Sequence, residues 1–323
     1  MIRGASLSFI EPCEYQERIR PAQVEITPTA RGDFHATLSQ LELHRLTLQH
    51  GWQSLPIVAR CGLHQSRSTI FFHTGTPQTA AKVDGVNLEP GIFALCGQGE
   101  EHFLQTSTDA TWASLTLTAE TYAAARSALI GDDFDLTLRT NIVRPRKAAM
   151  DGLRAMHQQI RTAFSTAPAQ ALHPEVEKAA EYSLLTAVID CLWGNEDRAG
   201  LRLGERNSTV IMRRLYELLD ASEGLPLYLI DVCARLGVSR RTLHNACVEH
   251  LGLSPYRFLW LRRMQLARQA LLRSEPARGA VTKVATDLGF WELGRFSVHY
   301  RRLFGESPTA TLVRRSSAAS MRR

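Results

Sequence analysis

Asp231 to Pro255 reads DVCARLGVSRRTLHNACVEHLGLSP, and Lys283 to Pro308 reads KVATDLGFWELGRFSVHYRRLFGESP. The two are copies of one helix-breaking pattern. Gly289 follows Gly237 by 52 residues and Gly305 follows Gly252 by 53, so the second copy carries one extra residue just after its turn. Each copy predicts helix, tight turn, helix. Val232 and Leu236 in the first, Val284 and Leu288 in the second, give a short helix an apolar side. The Gly that follows can enter the left-handed conformation without a Cβ penalty. A second helix then buries Leu243, Cys247 and Leu251, or Phe296, Tyr300 and Phe304, spaced four residues apart, until Gly252 or Gly305 stops it. Ser254-Pro255 and Ser307-Pro308 come next, where Ser can cap the following helix and Pro at its first position has no donor to lose. A single helix-Gly-helix is often plain core packing. Two copies with matching caps specify a helix-turn-helix unit used twice, at 227–252 and 281–305.

Residues 254–273 between the units predict one long helix, with Phe258, Leu261, Met264 or Gln265, Leu266 and Leu271 inward. At roughly 1.5 Å per residue it makes a rod of about 30 Å, close to the roughly 34 Å between successive major-groove faces on one side of a duplex. Such a spacer can present two recognition helices to neighbouring turns of DNA. The two units, this helix, and the GFWELGRF (Gly289–Phe296) and RLFGESP (Arg302–Pro308) segments resemble the DNA-binding domain of AraC/XylS-type transcription regulators. The SRRTL (Ser239–Leu243) and GFWELGRF wording is similar to the ethanolamine-utilisation regulators of that family. The resemblance implies a transcription activator with double-stranded DNA and RNA polymerase as partners. It also implies a small-molecule effector, with ethanolamine and cobalamin as candidates, and a homodimer.

With Leu243 and Cys247 inward, Arg241, His244 and Asn245 face outward near the start of the first recognition helix, where base readers sit; Asn can pair bidentately with adenine. The matching positions of the second helix are Ser297 and Val298, a hydroxyl and a group able to offer only a thymine-methyl contact. Backbone contacts are expected from Ser239, Arg240, Arg257, Arg262, Arg263, Arg295, Arg301 and Arg302. Trp291 reads as a cap on the core between the units, with the DNA sugar-phosphate edge as the alternative.

Charge follows the same division. Residues 205–323 hold 20 Lys and Arg against 10 Asp and Glu, whereas residues 1–204 hold 18 against 22. A basic half joined to a slightly acidic one is the electrostatic footprint of a DNA-binding domain beside a sensor. Apolar residues make up 44% of the chain and charged residues 22%, which excludes a disordered or fibrous class. Six cysteines, Cys13, Cys61, Cys96, Cys191, Cys233 and Cys247, are scattered without a CxxC pair or zinc-type spacing. No signal-peptide core and no apolar run of membrane-spanning length is present, so a cytoplasmic protein without a membrane role is expected.

The first half gives less. Residues 1–32 read as irregular. From Asp33 short alternating segments follow, FHATLSQLELHRLTLQ, STIFFHTG and ATWASLTLT among them, with Asp84-Gly85 and Pro90-Gly91 as turns. An antiparallel sandwich or small barrel over 33–120 is the economical reading, and the family resemblance makes it a cupin-like sensor. His44, His50, His64, His73 and His102 show no HxH and no following Glu, so no metal site is expected. Helical periodicity takes over at 145–194, where Met150, Leu153, His157, Ile160 and Phe164 form one stripe and Val176, Ala180, Leu184, Val188 and Leu192 another. These helices either cover the barrel or pair between subunits.

Asn195–Ser208 reads as a linker. The whole is then an α+β protein, with an effector-sensing and dimerising domain at 1–200 and a DNA-binding domain at 205–315. It is expected to be a non-enzymatic regulator reading two adjacent major-groove segments. The rival is a cupin-type metal-dependent enzyme with an accessory DNA-binding tail, and a third reading is an effector-independent architectural protein.

Overall fold

The structure is a computed structural model, and it describes residues 6–20, 22–76, 80–130, 141–166, 174–193, 201–202, 206–222 and 225–320. The chain forms two compact units: Met1–Ile26 with His35–Gly204, and Thr27–Phe34 with Glu205–Arg323.

The first unit begins earlier than the sequence suggests. Strand β1 (Ser6–Phe9), helix α1 (Pro12–Gln16) and strand β2 (Ala22–Pro28) occupy the segment read as irregular. Then follow β3 (Ala36–Glu42), β4 (Leu46–Gln53), β5 (Ile57–Leu63), β6 (Arg67–His73), β7 (Ala81–Val83), β8 (Val86–Asn87), β9 (Phe93–Cys96), β10 (Glu101–Thr106) and β11 (Ala110–Thr118). Helix α2 (Ala119–Ile130), strand β12 (Asn141–Val143), helices α3 (Lys147–Thr166) and α4 (Pro174–Trp193) and strand β13 (Leu201–Arg202) complete it. The last strand falls inside the segment read as a linker, where it pairs with β12.

One sheet has the order β1-β3-β4-β11-β6-β9-β12-β13 and the other β2-β5-β10-β7-β8. The two sheets form an antiparallel sandwich. Side chains alternate along each strand, and the larger sheet uses its two faces differently. Leu46, Leu48, Ile70, Phe72, Leu115 and Leu117 pack with Met150, Leu153 and Ile160 of α3 and Leu184, Leu185 and Val188 of α4. Helices α3 and α4 therefore cover the sheet, as the first of the two readings had it; Phe164 lies outside the described side chains, and Val176 is exposed rather than inward. Arg45, in the turn between β3 and β4, holds the buried Glu181 of α4 through its backbone N at 2.8 Å and its Nε at 2.5 Å. His50 and His157 face each other across this layer with ring centroids 6.1 Å apart, and burial lowers both pKa values to about 4.

The opposite face of the same sheet carries Thr69, Phe71, Gln49, Gln53, Trp112, Ser114 and Thr116. Gly51 is required there, because a Cβ on it would lie 2.3 Å from the Trp112 indole. Trp112 Nε1 in turn donates to the buried Tyr15 hydroxyl of α1 at 3.1 Å.

The second unit is helical: α5 (Asn207–Ala221), α6 (Leu229–Leu236), α7 (Arg240–Leu251), α8 (Pro255–Arg273), α9 (Ala280–Asp287), α10 (Leu293–Phe304) and α11 (Pro308–Ser320). Gly237, Gly252, Gly289 and Gly305 all have positive φ, from 65° to 75°. Ser254 accepts from Arg257 N at 3.3 Å and Ser307 from Ala310 N at 3.1 Å, so both Ser-Pro pairs cap as expected. Leu261, Met264, Ala267 and Leu271 of α8 share a core with Val284, Phe296, Tyr300, Leu303 and Leu312. Buried Arg268 of α8 is paired with Glu306 at 2.9 Å and lies over the Phe304 ring at 4.8 Å. The basic tail, 316–323, lies outside the described side chains.

Candidate nucleic-acid interface and ligand cavity

Helix α7 buries Leu243, Ala246, Cys247, His250 and Leu251. What remains outward at helical spacing is Arg241, His244, Asn245 and Val248, all exposed. The first three are the residues expected to read bases. Val248 was missed, because an apolar residue inside a helical pattern reads as core; at 44% exposure it lies on the same stripe and can meet a thymine methyl. Ser239, expected on a phosphate, is the N-cap of α7: its Oγ accepts from Thr242 N at 3.1 Å and lies 2.8 Å from the Thr242 hydroxyl. Replacing Ser239 with Ala is expected to cost about 1 kcal/mol of stability by leaving a helix-start donor unpaired, measurable by urea denaturation; an unchanged midpoint would contradict the capping role.

In α10 the buried set is Phe296, Tyr300, Leu303 and Phe304. Val298, Arg301 and Arg302 are exposed and Ser297 is half-buried, so the second helix offers Val298 more openly than Ser297. Arg295 is exposed but paired with Glu292 one turn earlier, at 3.0 Å. Trp291 is 71% exposed, which overturns the expectation that it caps the core. Phe290 takes that place instead, its ring 4.9 Å from Phe296.

The backbone-contact set divides. Arg240, Arg301 and Arg302 are exposed, and Arg257 lies over the Trp260 ring at 4.6 Å. Arg262, with only 11% of its side chain exposed, pairs with Asp220 at 3.7 Å. Arg263 lies over the Phe290 ring at 5.3 Å, near the Gly289 turn, and burial lowers its pKa. These two are internal clamps of the domain rather than open surface charges. A Cβ on Gly289 would meet Pro226 at 2.8 Å, so this turn is held against the chain that precedes α6.

A second feature lies within the first unit. Its two sheets leave between them a cavity of about 80 Å³, with apolar walls such as Val24, Ala59, Leu104 and Phe71. The resemblance to a cupin-like sensor implies an effector site in this half but assigns it no residues. His102 at one end is buried, its Nδ1 2.7 Å from Asp84 Oδ2, while Asp84 Oδ1 accepts from Phe103 N at 2.9 Å. Burial alone would lower the His102 pKa, but neighbouring Cys96 and the bond to Asp84 hold it well above the usual imidazole value. Cys61 beside it is pushed up to about 12, chiefly by burial. Among the described residues no three His, Cys, Asp or Glu side chains converge as a metal site would, and no helix is long and apolar enough to cross a membrane.

Residues 232–314 match the family model described as a helix-turn-helix domain. The chain is 34% identical over 178 residues to the probable thc operon regulatory protein of Rhodococcus erythropolis, a match covering 55% of this chain and 51% of that one. It is 27% identical over 129 residues to the XylDLEGF operon transcriptional activator 2 of Pseudomonas putida, covering 40% and 80% respectively. A solved probable AraC family transcriptional regulator from Rhodopseudomonas palustris is 31% identical, covering 33% of this chain and 97% of that one with a TM-score of 0.29. The chain spans about half the length of the Rhodococcus relative. With two Gly-capped helix-turn-helix units on one spacer helix, residues 232–314 are a helix-turn-helix domain of the kind carried by AraC-family transcription regulators.

Proposed function

We propose that the whole chain is an effector-responsive, sequence-specific transcription regulator, working as an activator, whose two recognition helices enter adjacent major-groove segments. The observation that carries this is the paired outward faces of α7 and α10, each following a Gly turn and joined through the 19-residue helix α8. Helix α7 supplies base readers and α10 mainly anchoring. Arg240, Arg257, Arg301 and Arg302 hold the phosphates. The cavity between the sheets serves as the effector site, and its occupancy alters DNA affinity. As an activator the protein engages RNA polymerase in the cytoplasm, as a homodimer, and carries out no catalysis of its own. The wording of 239–243 and 289–296 favours an ethanolamine-type effector, with or without cobalamin, as the first ligand to try.

Footprinting on the DNA flanking its own gene tests the reading: protection of two segments one helical turn apart is expected, and uniform weak protection would overturn it. On the protected site about four neutralised phosphates give a log-log salt slope of about −4. A slope near zero contradicts the anchoring role of the arginines. A slope near −10 would mean that many more cations take part.

A further inference from the structure

Gly294 stands on the outward face of α10 for no reason internal to the protein. Its φ lies outside the left-handed region, so the backbone conformation does not require glycine. A Cβ built on it would meet nothing within 4 Å, so packing does not require glycine either. Glycine meanwhile weakens a helix relative to alanine, because more backbone freedom is lost on folding. What it supplies at such a place is room for something outside the chain to approach the backbone closely. Gly152 of α3 is open in the same way, so the position on the helix has to decide.

Phe296, Tyr300, Leu303 and Phe304 define the inward side of α10. At 3.6 residues per turn the centre of the opposite side runs through Gly294 and Val298, one turn apart, and then between Arg301 and Arg302. All four are exposed, Val298 at 50%. The same line on α7, aligned through Leu243 and Phe296, carries Arg241 and Asn245. The two lines differ in reach. Arg241 and Asn245 can span a gap to base edges with polar side chains, whereas Gly294 and Val298 have neither the length nor a side-chain donor or acceptor. For α10 to touch a base, its backbone must come down onto the base edge. On the major-groove floor the group an apolar contact can recognise is the C5-methyl of thymine. Arg301 and Arg302, at the far end of the line, suit the flanking phosphates and hold the helix in register.

Resting on the DNA-reading function above, we propose that α10 seats its backbone on the groove floor at Gly294 and packs Val298 on a thymine methyl, so that any side chain at 294 lifts the helix out of its seat. One buried methyl is worth about fourfold in affinity, a weaker selection than the bidentate pairing open to α7.

The test exchanges each thymine of the footprinted site in turn for deoxyuridine, which removes the methyl and leaves the hydrogen-bonding edges unchanged. Affinity is measured with the native full chain, Val298→Ala and Gly294→Ala; both substitutions fall at exposed positions and remove no core contact. With the native chain at least one exchange should cost about fourfold, and Val298→Ala should abolish that penalty. Gly294→Ala should bind the site about tenfold more weakly, as an extra methyl in a close contact does, with affinity for random DNA unchanged and a urea midpoint unchanged or higher. The proposal is overturned if no uracil penalty disappears in Val298→Ala, if Gly294→Ala binds the site as tightly as the native chain, or if Gly294→Ala folds less stably, which would give this glycine an internal role. Protection of two segments with neither effect sinks the seating of α10 and leaves the regulator reading standing. The absence of any sequence-specific footprint sinks the regulator reading, and the seating with it.

Discussion

Glu306→Ala should cost about 3 kcal/mol of stability in the helix-turn-helix domain, because it removes the carboxylate that pairs with a buried cation. Arg268 is 8% exposed and paired with Glu306 at 2.9 Å. The same carboxylate accepts from Thr311 Oγ1 at 2.8 Å, and Thr311 receives the Tyr300 hydroxyl at 2.9 Å, so α8, α10 and α11 meet at one acid. Arg314 reaches it as well, at 3.4 Å, but that side chain is 40% exposed and contributes little. Urea denaturation of the full chain, followed by the loss of helical circular dichroism, measures the cost. The double variant Arg268→Met with Glu306→Leu should recover much of it, since an apolar pair of similar volume avoids the desolvation cost. A loss below about 1 kcal/mol in the single variant would show that the ion pair is dispensable.

The second large effect concerns recognition. Asn245→Ala should weaken binding at the preferred site by about 1–3 kcal/mol and change binding to random DNA little, because a bidentate amide contributes only where the correct base faces it. Asn245 is exposed on α7 next to His244, and among the residues expected to read bases it is the one with a side-chain amide. Competition binding against specific and random duplexes distinguishes the roles. Equal loss on both would assign Asn245 to the backbone or to folding.

The fold of the second unit was legible because its signals are local. A Gly at the turn, apolar residues four apart and a Ser-Pro start each act within one or two helical turns, and the repeat doubled them. Within the first 32 residues β1 has four residues and α1 five, too short for a periodicity to emerge, whereas seven-residue β2 does alternate at Val24 and Ile26 and was legible in principle. Trp291 misled because a large aromatic is usually counted as core, whereas Phe290 beside it fills that space. Arg262 and Arg263 misled differently: a long side chain on a helix can lie along an apolar surface, and sequence does not say which arginines do so. The cavity was hidden by the alternation itself. Leu46, Leu48 against Thr47, Gln49 and Gln53 reads as a strand with one face in water, but here the second face looks into the slot under the other sheet. Only the pairing of two sheets, a long-range fact, turns a solvent-like face into a binding wall.

The central claim, that two helices on one spacer read DNA unequally, is tested most directly by a base-by-base substitution scan of the footprinted site in a quantitative binding assay. The positions matching His244 and Asn245 in α10 are half-buried Ser297 and exposed Val298, so that helix lacks a bidentate reader. Substitutions under α7 are expected to cost about 1–3 kcal/mol each, and those under α10 clearly less. Equal selectivity in the two halves, or greater selectivity under α10, would contradict the account.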